Sequence, residues 1–415
     1  MEKTVVPKLS FGRQMRRFGL RTVHTVTTKG KQNMIIIAAL LLLIVIFSVL
    51  NPNFIGDKYN IISMAQSFAP YAILGLGVTF VIATGGIDLS IGTVCIASAV
   101  MAGKLYTSGK VPLWMTIPIM IVIGAAFGLL NGLLVAKLKL PAFIATLGTM
   151  MFSRGLSAIL VVEPNIFYPS GTWFNTVFSN ANGLPIGLFW VIGLAVICMY
   201  LMYKCKIGRY ILSIGSNEEA TRLSGINTDK YKIIAYTLGG LGAGIAAIFW
   251  AASFPTVAAA TGNGMELDAI AGVYIGGTSA AGGVASITGS VIGALMLVVI
   301  RQGLNLILAG LDLNINSTYV TYVLTGIIVV VAVLLDVVKN KNAGKVKLET
   351  EASKYKKGIA LQIEALQNEL DCVLAKNNPA GKTEKAAQAQ KIKAQIAELK
   401  KTAKAGYPKP QQTEQ

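Results

Sequence analysis

The sequence is poor in the groups on which most enzymes depend. It has one histidine, His24, among basic residues near the N-terminus. That argues against a histidine-built zinc site and against a Ser-His-Asp relay, so no catalytic and no metal-binding residue is assigned. The four cysteines, Cys95, Cys198, Cys205 and Cys372, show neither metal-ligand spacing nor a paired framework. Cys95 and Cys198 fall in apolar stretches and act there as small hydrophobes. Charge is scarce: 13% of residues are charged and 53% are hydrophobic, with a mean hydropathy of +0.61. That balance excludes a soluble globular domain. Acids are scarcer than bases, 19 against 37, for a net charge of +18. The bases lie at both ends and in short loops between apolar runs, which suits cytoplasmic loops and anionic lipid and argues against nucleic acid as a partner. No G-x-x-x-x-G-K-[ST] loop is present, so the chain holds no ATP through that nest. No helix carries a series of carboxylates and histidines fit for a proton relay; Asp88, Glu266 and Asp268 are the few candidates.

What remains is a succession of apolar runs. Residues 1–33 carry Lys3, Lys8, Arg13, Arg16, Arg17, Arg21, Lys29 and Lys31 against Glu2, and Met34 to Leu50 follows unbroken. A long basic leader with no cleavage site behind the run reads as a retained anchor with a cytoplasmic N-terminus. Further spans are expected over Ile61–Thr84, from Gly92 to about Gly103, and over Val111–Ala136, Pro141–Val162, Ile186–Tyr203 and Ile233–Ser253. An irregular segment within Gly262–Gly283, then Val284–Ile300 and Thr318–Val338, complete the set. About ten spans with both termini inside put every strongly basic loop in the cytoplasm. Arg154, within a span, needs a partner or an aqueous face. Glu163–Pro185 has no Lys or Arg and reads as an outer loop with Tyr168 and Trp173 at the interface; Gly303–Ser317 reads as a second outer excursion. The expected fold is an all-α polytopic membrane protein.

Two stretches interrupt this regularity. Gly85-Gly-Ile-Asp-Leu-Ser-Ile-Gly92 sets two glycines and a carboxylate between apolar halves, and Gly276-Gly-Thr-Ser-Ala-Ala-Gly-Gly283 follows an apolar core too short to span. Both read as broken or re-entrant helices, backbone tolerated at membrane depth only inside protein or along a polar cavity. Gly85, Gly86, Asp88, Ser90, Glu266, Asp268, Gly276, Gly277, Thr278 and Ser279 are the candidate substrate-pathway or gate residues. A path of glycine backbone, hydroxyls and amides suits an uncharged polyhydroxylated solute, which exchanges hydrogen bonds at little electrostatic cost. Asp88 has a second reading, as the cap of the helix that follows it. An ion-coupled secondary carrier with Asp88 or Asp268 as its proton site is the alternative function.

Between the apolar blocks lies a polar stretch with its own helix signal. Ser216 is a candidate cap with Glu219 reaching back to its amide, and Gly225 a candidate left-handed terminator. Asn217, Glu218, Glu219, Ala220, Thr221, Arg222, Leu223 and Ser224 make about two turns with Ala220 and Leu223 on one face, and with Ser216 and Gly225 they are the candidate coupling residues. Lys204, Lys206, Arg209, Arg222, Lys230 and Lys232 surround it. It reads either as a docking element for a cytoplasmic partner or as an ordinary loop with a helical turn.

After Lys339 the composition shifts to Lys, Glu, Gln and Ala. Ile359, Ile363, Leu366, Leu370 and Val373 form one heptad-spaced seam, and Ala389, Ile392, Ile396, Leu399 and Ala403 a second. They predict a cytoplasmic antiparallel helical hairpin over about residues 349–404, either a cationic docking surface or a hairpin with no function of its own. The domains are therefore a basic segment 1–33, a transmembrane domain 34–339 and a Lys-rich tail 340–415.

Gly85–Gly92, Asn131-Gly132, Pro141-Ala-Phe-Ile-Ala-Thr-Leu-Gly148, Gly208-Arg-Tyr-Ile211, Asn217–Ile226, Glu266-Leu-Asp-Ala-Ile-Ala271 and Gly276–Gly283, in that order, resemble the ribose/galactose/xylose-type permeases of bacterial ABC importers. The resemblance runs over about Met34 to Lys339 and is strongest to the ribose-type members. Thr84-Gly85-Gly86 replaces the family's more usual Ser-Gly, and the tail lies beyond its usual end. The resemblance implies a homodimer or pseudo-dimer in the bacterial inner membrane, with an extracytoplasmic binding protein delivering a monosaccharide. It further implies that separate ATPase subunits bind ATP and Mg, leaving this chain without a cofactor, and that residues 216–225 are the coupling helix seated in the ATPase.

Overall fold

A computed structural model describes residues 33–160, 165–180, 183–254, 256–258, 261–310 and 382–405, with scattered helical positions between 320 and 373. Contacts divide the chain into Met1–Lys339 and Asn340–Gln415.

In the first unit the helices run α1 (Asn33–Leu50), then α2 (Asn53–Gly56), α3 (Lys58–Ala83), α4 (Ile91–Thr107), α5 (Thr116–Ala136) and α6 (Ala142–Leu160). After a two-residue strand β1 (Ile166–Phe167) come α7 (Trp173–Phe178), α8 (Ile186–Tyr203), α9 (Lys206–Ser216), α10 (Glu218–Leu223) and α11 (Thr228–Ser253). Strand β2 (Thr256–Val257), α12 (Met265–Ile275) and α13 (Ile287–Gly310) complete it. β1 and β2 pair antiparallel, Ile166 opposite Val257.

Among the described residues, 7 helices are long and apolar enough to cross a membrane: α1, α3, α5 with its preceding 3-10 turn, α6, α8, α11 and α13. The expected third span is the shorter α4, and the irregular eighth is α12, 11 residues long. The expected tenth span falls largely outside the described residues. α3 and α11 are interior helices, whereas α1, α6 and α8 leave most of their apolar surface uncovered.

Glycine sets how closely these helices approach. Gly124 and Gly128 of α5 face Gly240 and Gly244 of α11; a Cβ on Gly128 would stand 2.5 Å from the Tyr236 carbonyl oxygen. The same four-residue spacing recurs where Gly272 and Gly276 of α12 meet Gly293 and Gly289 of α13. Between helices in lipid, where no hydrophobic force separates helix from solvent, such backbone approach supplies the van der Waals contact. The span Ile233–Ser253 is rich in glycine (Gly239, Gly240, Gly242, Gly244), a pattern that suits close helix packing in a bilayer, and Gly240 and Gly244 serve it here.

Two expectations are corrected. The expected outer excursion does not begin at Gly303: α13 continues to Gly310, with Gly303 packed against the Phe47 ring of α1, and residues 311–317 lie outside the described residues. Tyr168 is buried, not interfacial: its hydroxyl donates to the Ala99 carbonyl (2.7 Å) and its ring stacks on Tyr106 and Phe174.

In the second unit, α14 (Lys382–Ala405) is an amphipathic helix. Ile359, Ala389, Ile392 and Ile396, all predicted seam positions, are buried.

Candidate functional site

The polar stretch folds as two helices. α9 buries Gly208, Ile211 and Ile214 and turns its charged residues outward. Gly208 permits the sharp return from α8, since a Cβ there would collide with the Met202 carbonyl. α10 then begins one residue later than expected. Ser216 closes α9, its hydroxyl donating to the Leu212 carbonyl (3.0 Å), and Asn217 is the cap, its Oδ1 accepting from the Ala220 amide at 2.9 Å. Asn217 is extended (φ −163°, ψ 105°), the backbone from which a carboxamide reaches the first turn. Gly225 takes the left-handed conformation, φ +81°. Glu218 and Glu219 in the first turn and Arg222 in the last agree with the helix dipole.

Ion pairs fix α10 to its neighbours. Glu218 accepts from Lys232 at 2.6 Å and from Arg222 at 3.0 Å. Arg222 also reaches Thr228 (3.0 Å) and Asp229 (3.8 Å), and Asp229 pairs with Lys139 at 2.6 Å. The loop after α5, α10 and the start of α11 thus form one charged network. Burial pushes the Glu218 carboxyl up, but the Lys232 hydrogen bond and the charges of Lys232, Arg222 and Lys139 outweigh it and hold Glu218 below its ordinary 4.5. Outward, α10 exposes Glu219, Ala220 and Leu223, the last 85% accessible.

A cavity of about 580 Å³ separates this network from the first glycine stretch; Thr84, Gly85, Gly86 and Tyr236 line one side and Glu218, Glu219, Arg222, Lys139 and Lys232 the other. Residues predicted as gate and residues predicted as coupling element therefore share one chamber. Beneath it Asp88 is buried at the entry to α4, its Oδ1 accepting from the Ser90 amide (2.8 Å) and hydroxyl (2.6 Å). Asn131 donates to the Ser90 hydroxyl at 2.8 Å.

The second glycine stretch is a closed loop. Gly276 ends α12, and Gly277, Gly282 and Gly283 all have positive φ. Thr278 accepts the Ser286 amide (3.1 Å), while Ser279 donates its amide to the Val284 carbonyl (3.1 Å) and accepts the Ala281 amide on its hydroxyl (3.2 Å). Tyr203, unmarked in the sequence reading, donates to the Ala285 carbonyl (3.0 Å) and accepts the Ile287 amide (3.2 Å), pinning the loop to α8.

Glu266 and Asp268 lie apart, in the first turn of α12. Glu266 accepts the Gly264 amide (3.3 Å) and packs against Gly92 of α4, within electrostatic reach of Arg154. Asp268 forms an ion pair with Arg301 of α13, whose guanidinium also donates to the Tyr71 hydroxyl at 2.8 Å. The expected span Val284–Ile300 stops just before Arg301, but Arg301 stands inside α13, and no local pattern marks its partner.

Residues 60–333 match the family model described as branched-chain amino acid transport system / permease component. The chain is 38% identical over 310 residues to the ribose import permease protein of Escherichia coli K12, covering 72% of this chain and 91% of that protein. It is 36% identical over 304 residues to the ribose import permease protein of Bacillus subtilis, with 72% and 90% covered. It is 30% identical over 297 residues to the D-allose transport system permease protein of Escherichia coli K12, with 72% and 89% covered. No solved structure matches. With its motif order, its bundle of apolar helices and these matches, the chain belongs to the permease-component family, as a transport subunit of the ABC sugar-importer type.

Proposed function

We propose that this chain conducts a monosaccharide, a ribose-like pentose or a hexose, across the bacterial inner membrane and is driven by separate ATPase subunits that dock on α10. An extracytoplasmic binding protein delivers the sugar, a second copy of the chain completes the pathway, and both termini lie in the cytoplasm. ATP and Mg belong to the ATPase; this sequence has no phosphate-binding loop of its own. The observation that carries the reading is α10 itself: capped, ion-paired to two neighbouring segments, and presenting Leu223 and Ala220 outward above the chamber that reaches Gly85–Gly86. Positive charge around it suits the cytoplasmic side. ATP binding shifts the bundle only through contacts that differ between its two states, and an exposed lever on the charged face offers such contacts.

The test uses the importer reconstituted with its ATPase and binding protein, with labelled D-ribose and D-allose as probes. Glu219→Arg and Ala220→Arg are expected to abolish uptake of whichever sugar the native complex takes up, with the permease still folded. Normal uptake and normal ATPase stimulation in both variants would remove α10 from the coupling role. Collapsing the ion gradient at constant ATP separates this reading from an ion-coupled carrier: the importer continues and the carrier stops.

A further inference from the structure

Three segments far apart in sequence meet backbone to backbone directly before α10. The Gly283 amide donates to the Ala83 carbonyl, the last of α3, at 3.0 Å. A Cβ on Gly282 would stand 2.7 Å from the Gly85 nitrogen and 2.9 Å from the Gly215 Cα; one on Gly283, 2.5 Å from the Ser216 hydroxyl and 3.1 Å from its Cα. A Cβ on Gly215 would collide with both the Ala83 carbonyl and the Gly283 amide. Real side chains essentially never come so close to backbone, so neither Gly215 nor Gly282 admits one unless the backbones part, and the positive φ of Gly283 (76°) disfavours one there. The end of α9 is therefore wedged between the α3–α4 turn and the α12–α13 loop, with the Ser216 side chain against Gly283.

Resting on the coupling reading above, we infer that this Gly215–Ser216, Ala83–Gly85 and Gly282–Gly283 contact is the joint that carries movement of α10 to both glycine stretches at once. Asn217 alone separates α9 from α10, so a push on α10 arrives at Ser216, next to Gly215, through one residue of extended chain. The contact is tight packing plus a hydrogen bond, so the two loops follow together. In this assignment Gly215, Gly282 and Gly283 are positioning residues that touch neither sugar nor ATPase. The ion pairs of α10 hold the lever, and the glycines pass its motion inward.

The importer with its bound ATPase, in lipid nanodiscs, tests this by amide hydrogen exchange with and without ATP and vanadate. In the native complex, trapping is expected to change exchange at least tenfold at residues 218–225, 84–90 and 276–286, including the Gly283 amide. In Gly215→Ala, and in the milder Ser216→Val at an exposed position, the change at 218–225 is expected to persist while that at 84–90 and 276–286 is lost. Gly242→Ala, whose Cβ would stand 2.9 Å from the Gly77 Cα in the α3–α11 contact, controls for packing damage and is expected to transmit as the native complex does. If the native complex shows no change at 218–225, the coupling reading falls and this joint with it. If the change there still reaches both loops in the two junction variants, or is lost equally in Gly242→Ala, the joint alone is overturned.

Discussion

The pair between Asp268 and Arg301 gives the sharpest energetic prediction. Asp268 is 2% exposed at its side chain and Arg301 24%, and Arg301 also lies 5.5 Å over the Tyr71 ring. Removing one partner leaves the other charge buried without its counter-ion, which costs about 3–5 kcal/mol, whereas replacing both with apolar groups of similar volume is often close to neutral. Partial exposure of Arg301 and its bond to Tyr71 favour the lower end, about 3 kcal/mol for Asp268→Ala or Arg301→Met. At about 2 °C per kcal/mol for a large domain, each single variant should lose roughly 6 °C in Tm. The double variant should recover most of that loss, the non-additivity expected of residues in direct contact. Thermal unfolding of the detergent-purified chain, followed by size exclusion, measures all four species. A double variant as unstable as Asp268→Ala, or an Asp268→Ala within 1 °C of native (about 0.5 kcal/mol), would refute the account.

Three further outcomes are expected. Gly240→Ala drives a Cβ into the Gly124 carbonyl and against Gly128 Cα, so folded yield should fall by the overpacking cost of about 1–3 kcal/mol, while Gly148→Ala, with nothing within 4 Å, should not change it; equal yields would count against the packing. Glu218 has a depressed folded value, so its stabilisation of α10 is complete above 4.5 and is lost as pH falls through that lower value; ATPase binding should weaken only in that acid range, and Glu218→Gln should weaken it at neutral pH and flatten the profile. Deleting residues 345–415, which lie within the separate unit Asn340–Gln415, should retain most uptake; abolished uptake with a folded membrane unit would assign the tail an essential role.

Local signals were legible and contacts between distant segments were not. Asn217 and Gly225 bracket a short helix within a few residues, so α10 could be read; Ser216 and Asn217 are both good caps, and only the fold shows which one turns into the helix. Gly239 to Gly244 announced close packing, but their partners Gly124 and Gly128 on α5 follow from the way the bundle closes. The expected span Val284–Ile300 stops before Arg301 because a charge ordinarily ends one, and Asp268 is a gate candidate because a carboxylate in an apolar segment is ordinarily functional. That the two pair with each other shows only once α12 and α13 lie together. The chamber could not be read at all, since its walls come from the α3–α4 turn, the end of α5 through the start of α6, α10 and α11.

The second glycine stretch holds two of the pathway candidates, Thr278 and Ser279, and in the structure both are buried and engaged within their own loop. Thr278 accepts the Ser286 amide directly before α13 and so sets where that helix begins. Thr278→Val keeps the shape and removes the acceptor, leaving the part-buried Ser286 amide without it, at a cost of about 1 kcal/mol, the low end for an unpaired group. If the hydroxyl only holds the loop, transport of every sugar should fall by the same factor. The ratio of D-ribose to D-allose uptake in the reconstituted importer then stays at its native value. A changed ratio would return Thr278 to the sugar path and show that the loop opens its hydroxyls to the solute during transport.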